Sequence, residues 1–159
     1  MVDSTWNRLS LLLTQGQLNS NDKTRFLLSA GADSFAMDIG CFVRIQGQQY
    51  EIHESTNPQW KNRVFNVSDS LCKFIINYQD ALGAHDLNAD SWEVHSIKAP
   101  FQFGSYIGAP LFIDDNLYGT IFFASKDNRE KEFTQRDIAY LKMLSSSFLS
   151  IIKQSATHV

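Results

Sequence analysis

Cysteine is scarce in this chain: Cys41 and Cys72 are its only two. Two cysteines make no disulfide framework, and neither a Cys-x-x-Cys pair nor the Cys/His spacing of a zinc site occurs. Both lie beside apolar residues, Cys41 next to Phe42 and Cys72 between Leu71 and the nearby Phe74, as buried free thiols do. A reducing, cytoplasmic setting is the expectation. Long apolar runs are also missing. No stretch reaches the roughly 18 residues that cross a bilayer, and no basic segment followed by an apolar one opens the chain, so neither membrane contact nor a signal peptide is expected. Proline is rare, with 3 residues, and no Pro/Gly-rich linker, internal repeat or low-complexity stretch divides the chain. Basic charge is not concentrated. The 14 Lys and Arg against 17 Asp and Glu leave a formal charge of −3, and the densest basic stretch, Lys126 to Lys131, also holds Asp127 and Glu130. Nucleic-acid binding needs a concentrated positive face, so it is not expected.

What is abundant is apolar surface. Hydrophobic residues make up 43% of the 159 positions and 12 of them are Phe. That length suits one domain and can bury a core without staples. Trp6, Leu9, Leu12 and Leu13 recur at helical spacing, so Asp3 to about Gln17 reads as an amphipathic helix. The polar run Leu18 to Asp22 breaks it, and a second helix is expected from about Asp22 to Phe35, burying Phe26, Leu27 and Ala30. The period then changes. Ile39 to Ile45 and Tyr50 to His53 read as a hairpin around Gln46-Gly47-Gln48. Asn57-Pro58 begins a loop carrying Trp60 and Phe65. Ser68 is the expected N-cap of a helix with Leu71, Cys72, Ile75 and Ile76 inward, and a short strand follows near Ala81 to His85. After an irregular stretch from Asp86 to Gly104, with one short helix about Trp92 to Ile97, a second hairpin joins Tyr106–Ile113 to Leu117–Phe123 through Asp114-Asp115-Asn116. Thr134 with Asp137 three residues on forms a capping-box start for a last helix through Lys153, and Phe133 can staple to Ile138. This order predicts an α/β (α+β) domain in three layers. A mostly antiparallel sheet of about five to six strands would carry the terminal helices on one face and the middle helix and loop on the other. The expected parts are an N-terminal helix at 1–20, the domain proper at 21–154 and a tail at 155–159.

Four pieces in this order resemble the GAF domain family. Gly104-Ser105-Tyr106-Ile107-Gly108-Ala109-Pro110-Leu111 with Tyr118-Gly119-Thr120-Ile121-Phe122-Phe123 is similar to its paired-strand signature. Asp69-Ser70-Leu71-Cys72 resembles its middle-helix start, and Phe133-Thr134-Gln135-Arg136-Asp137 its entry to the final helix. The closest resemblance is to the GAF domains associated with bacterial diguanylate cyclases and sensor histidine kinases. Gly108 and Gly119 in adjoining strands leave room for close packing of a helix or ligand, and Pro110 should mark an edge, bulge or bend. None of these residues performs acid–base chemistry, and one fold hosts many functions.

The resemblance implies a small-molecule pocket between the sheet and the covering segment, for which Phe42, Arg44, His53, Phe65, Cys72, His85, Trp92, His95 and Tyr106 are the candidates. Arg44 suits an anionic ligand or a pairing with Glu51 or Glu54. Cys72, in a helix's first turn where the dipole lowers a thiol's pKa, suits redox sensing or simple core packing. His85, Asp86 and His95 lack a further ligand for a metal, and none is expected. Bilin-carrying GAF domains attach their chromophore through a Cys before the last hairpin, and those that reduce free methionine sulfoxide need cysteines there. No Cys follows Cys72, so no cofactor is predicted. The "NKFDE" pattern of cyclic-nucleotide-binding members has no clear counterpart either.

The expected function is a non-catalytic sensory or regulatory domain of bacterial signal transduction. It would bind a small molecule or relay a signal through a homodimer of its terminal helices, acting in trans or with a kinase or cyclase output domain. The alternatives are a protein-interaction module whose pocket its own aromatic side chains fill, and a thiol-based redox enzyme or sensor using Cys72.

Overall fold

The computed structural model describes residues 20–87 and 102–157. The expected helix at 3–17 and the short helix about Trp92 lie outside these residues. The described elements run α1 (Ser20–Phe35), β1 (Ile39–Gln46), β2 (Gln49–Ser55), a 3-10 turn (Pro58–Trp60), β3 (Val64–Asn66), a second 3-10 turn (Val67–Asp69), α2 (Cys72–Tyr78), β4 (Leu82–Ala84), β5 (Ser105–Ile113), β6 (Asn116–Ser125) and α3 (Gln135–Thr157). The strands form one six-stranded sheet in the order β3-β2-β1-β6-β5-β4, and every neighbouring pair is antiparallel.

Strand alternation sorts the side chains into two cores. On one face Phe42, Ile107, Ile121 and Phe123 pack beneath α1 and α3, meeting Leu27, Leu28, Phe35, Leu141, Leu144 and Phe148. On the other, Cys41, Val43, Ile52, Tyr106 and Phe122 pack beneath α2 with Leu71, Cys72 and Ile75. Full burial of one such large apolar side chain stabilises by about 1.5–3 kcal/mol. The three-layer expectation therefore holds for the described elements.

Local chemistry accounts for the element ends. Thr134 N–H donates to Asp137 Oδ2 at 2.8 Å, and Asp137 N–H donates to Thr134 Oγ1 at 3.1 Å, a reciprocal cap that satisfies two of the helix's orphan donors. Phe133 and Ile138 both pack on the helical-face core. The β5–β6 turn places Asp114 and Asp115 at φ 50° and 66°, the doubly left-handed geometry that matches hairpin twist. Gly119 in β6 faces Arg44 of β1, and a Cβ there would collide with the Val43 carbonyl oxygen. The close approach at this glycine is to a neighbouring strand, not to a helix or ligand. Gly31 does admit such a contact: a Cβ there would meet the Phe123 ring, so α1 lies directly on the sheet. Pro110 sits past the last β4 pairing at Gly108 and one residue before a register shift between Leu111 and Phe112, as a residue without an N–H requires.

Two expectations fail here. Phe65 is not in a loop: it lies in β3, which adds an edge strand opposite Tyr50. Ser68 does not cap α2. It lies in a separate 3-10 turn, and α2 begins after Leu71 without a side-chain cap. Burial of Leu71, Cys72 and Ile75 holds this short helix in place, since tertiary packing outweighs capping in so short a segment.

Candidate functional site

The covering face brings together Cys72, Tyr106 and Phe65. Cys72 is the first residue of α2. Its Sγ lies 3.4 Å from Thr120 Oγ1 and 3.7 Å from the Tyr106 hydroxyl. Tyr106 stacks on Phe122 with centroids 5.3 Å apart, and Phe122 meets Phe103, which stacks on Trp60. Phe65 packs against Tyr50 at 5.7 Å. The floor beneath α2 is thus aromatic with a small set of hydroxyl and thiol groups at its centre. Thr120, Trp60 and Phe103 belong to this floor and were not among the sequence candidates. Strand parity could have found Thr120, which lies two residues before Phe122 on the same face of β6.

Burial dominates the environment of both thiols. Burial pushes the Cys72 thiol up, against smaller opposing effects of hydrogen bonds with Thr120, Tyr106 and Ser70. The expected lowering by the helix dipole is overturned, because loss of hydration outweighs the dipole of so short a helix. Burial likewise pushes Cys41 up to about 12, opposed by its hydrogen bond with Ser55. Both thiols are free and buried, and a protonated, buried thiol is a poor nucleophile.

Phe42, Arg44 and His53 lie on the opposite, helical face and so do not line the same pocket. The register explains this. Phe42 pairs with Glu54 and Val43 with Ile52, so His53 is the extra residue of a bulge. Its ring meets Phe42 edge-on at 5.4 Å. Arg44 lies over the Tyr118 ring at 4.9 Å. Its strand partner is Glu51, whereas Glu54 pairs with Arg25 and Lys61 instead. His85 follows β4 at the far edge of the sheet, and its carbonyl accepts from Arg129 N–H. Trp92 and His95 lie outside the described residues. Among those described, no cluster of three or more His, Cys, Asp or Glu side chains is placed to hold a metal ion, and no helix is long and apolar enough to cross a membrane.

This architecture, a six-stranded antiparallel sheet between a helical pair and a short covering helix, is that of a known class of α+β domain. The GAF domain family model matches residues 26–149, and the chain belongs to that family. A search of curated protein sequences finds no match. Among solved structures, the chain is similar to the GAF domain of a phosphoenolpyruvate-protein phosphotransferase from Acinetobacter, with a TM-score of 0.77 and 15% identity over 99% of this chain and 96% of that one. It is also similar to a free methionine-R-sulfoxide reductase from Neisseria meningitidis in complex with its substrate, at TM-score 0.73 and 13% identity over 99% and 89% of the two chains. A third is the phycocyanobilin-bound GAF domain of a cyanobacterial phytochrome, at 0.71 and 15% over 99% and 97%. At these identities the likeness speaks for the fold alone. These three neighbours are a phosphotransferase domain, a reductase and a phytochrome domain, and no association with a diguanylate cyclase or histidine kinase is shown by them.

Proposed function

We propose that this GAF domain is a non-catalytic cytoplasmic sensory or regulatory module of bacterial signal transduction, which binds a small molecule over its covering face or relays a partner's state. The observation that carries this reading is the sharing of β5 and β6 by both layers. Tyr106 and Phe122 lie beneath α2, while their immediate neighbours Ile107 and Phe123 lie beneath α1 and α3. A ligand that shifts the first pair moves the second, and so biases α3, provided it binds the two arrangements with different affinity. The raised thiols support a role without redox catalysis. The finer assignment, a homodimer joined through the terminal helices and serving a diguanylate cyclase or histidine kinase output, rests on the motif resemblance.

Native mass spectrometry of the purified protein tests the reading, since it reports co-purified ligand and oligomeric state together. A bound metabolite whose removal lowers the melting temperature by several degrees, with altered hydrogen exchange in α3, is the expected result. Strict absence of ligand, with no metabolite shifting the melt, would favour a second reading. That reading is an interaction module with a self-filled pocket, and the Trp60–Phe103–Phe122–Tyr106 succession of aromatic contacts speaks for it.

A further inference from the structure

Glu54, near the end of β2, is a buried carboxylate outside the covering-face floor. It is compensated from two sides. Arg25 Nε of α1 stands 3.6 Å from its Oε1, and Lys61 Nζ stands 3.3 Å from its Oε2. Arg25 belongs to the helical layer, where its neighbours Phe26 and Leu27 pack in the core beneath α1 and α3. Lys61 follows the 3-10 turn Pro58–Trp60, whose Trp60 packs on the covering-face core and stacks on Phe103. One anion therefore faces a cation from each layer. Ser55 N–H also donates to Oε1 at 3.3 Å, whereas no hydrogen bond reaches Oε2. Among the described residues, the Lys61 ammonium alone compensates that oxygen.

We propose that Glu54 is a charge relay between the covering site and α1. Movement of the Pro58–Trp60 turn changes the hold of Lys61 on the carboxylate, and Arg25 answers from α1. A buried charge that loses one of its two cations must draw the other closer or take up water, because an uncompensated buried ion is costly. Trp60 is the point of entry. It adjoins Lys61 and is the half-buried end of the aromatic succession through Phe103 to Phe122, so a ligand that displaces its ring shifts Lys61. Arg25 is the exit. Its guanidinium also lies 3.9 Å from Asp22 in the same helix, which gives it two partners between which a change at Glu54 redistributes it. This route is separate from the one through β5 and β6, since it ends on α1 and is carried by charge. It rests on the sensory reading for the ligand that drives it, but the link itself can be tested without one.

Hydrogen exchange followed by mass spectrometry on the full chain tests it, with Trp60→Ala as the disturbance in place of a ligand. Trp60→Ala should speed exchange in the turn and, by about two- to tenfold, in α1 around Arg25. In a Glu54→Gln background, which keeps the side chain's shape and removes its charge, the turn should respond as before and α1 should not. Lys61→Gln should likewise silence α1, and Lys61→Arg should keep the response, so the Lys61 pair decides the matter if Glu54→Gln does not fold. An equal response of α1 with and without the Glu54 charge would mean that packing alone carries the disturbance, and would overturn the proposal. So would an α1 that does not respond in the parent background, or a turn whose exchange Trp60→Ala leaves unchanged. Absence of a ligand in native mass spectrometry would count against the sensory reading and leave this result standing.

Discussion

His53 and Tyr118, on strands that do not adjoin, flank the same ring: their centroids lie 5.4 Å and 6.2 Å from that of Phe42. Each is the extra residue of a bulge. His53 falls between the Phe42–Glu54 and Val43–Ile52 pairings, and Tyr118 between Leu111–Gly119 and Phe112–Leu117. A bulge re-aims a side chain across the sheet, and two of them build an aromatic floor around one buried phenylalanine.

Phe42→Ala therefore removes the centre of that floor. It should cost about 3–5 kcal/mol, as large core truncations do, measured by urea unfolding. His53→Ala, at the half-exposed rim, should cost about 1 kcal/mol or less, the worth of one aromatic contact. Similar losses from the two variants would mean that Phe42 is not the anchor.

Gly119→Ala should destabilise although alanine is nearly the smallest change available. The added methyl meets the Val43 carbonyl oxygen, which belongs to β1 backbone and cannot swing away. An overpacking cost of about 1–3 kcal/mol is expected. For a domain of this size that lowers the thermal midpoint by roughly 2–4 °C per kcal/mol. An unchanged midpoint would show that β1 and β6 can separate here freely.

Glu54 is 3% exposed, with Arg25 Nε at 3.6 Å from one carboxylate oxygen and Lys61 Nζ at 3.3 Å from the other. The double variant Arg25→Met/Lys61→Met strands a buried charge and should cost about 3–5 kcal/mol. Adding Glu54→Gln should recover most of that loss. A double variant as stable as the parent would mean that solvent reaches Glu54.

The thiols set an alkaline limit. The Cys41 thiol is raised from 9.0 to about 12 in the folded state, chiefly by burial. Above pH 9 the unfolded chain releases this proton and the folded one keeps it. Its contribution to stability is thus complete below about pH 9 and is lost as pH rises toward 12, with a slope of about 1.4 kcal/mol per pH unit. Burial raises Cys72 in the same direction. Unfolding followed from pH 8 to 11 checks this, with a Cys41→Ala/Cys72→Ala chain as the control that should lose the slope. Native protein at pH 8 should leave both thiols unlabelled by a thiol reagent, and urea should expose both. Labelling of Cys72 in the folded state would favour the redox alternative.

The features legible in the sequence are those that short-range chemistry decides. Thr134 and Asp137 cap α3 because the cap needs only residues three apart. The Asp114-Asp115 turn joins β5 to β6 because aspartate tolerates left-handed backbone. Alternation marked the strands of both hairpins, and the two glycines with Pro110 marked the family. Phe65 escaped assignment to a strand because β3 is only three residues long and exists through its pairing with β2.

By itself, then, the sequence determined the order of the described helices and of every strand but β3, the α+β class and the absence of any cysteine after Cys72. Which candidates share a site was decided by the tertiary structure alone. Alternation separates Phe42 from Cys41 but does not say which face α2 covers, and the bulges at His53 and Tyr118 interrupt the very alternation from which faces are read. The fate of Cys72 was decided in the same way. Its place at a helix start is local, but its burial comes from packing on the sheet, in one cluster with Val43, Tyr106 and Phe122 from three separate strands.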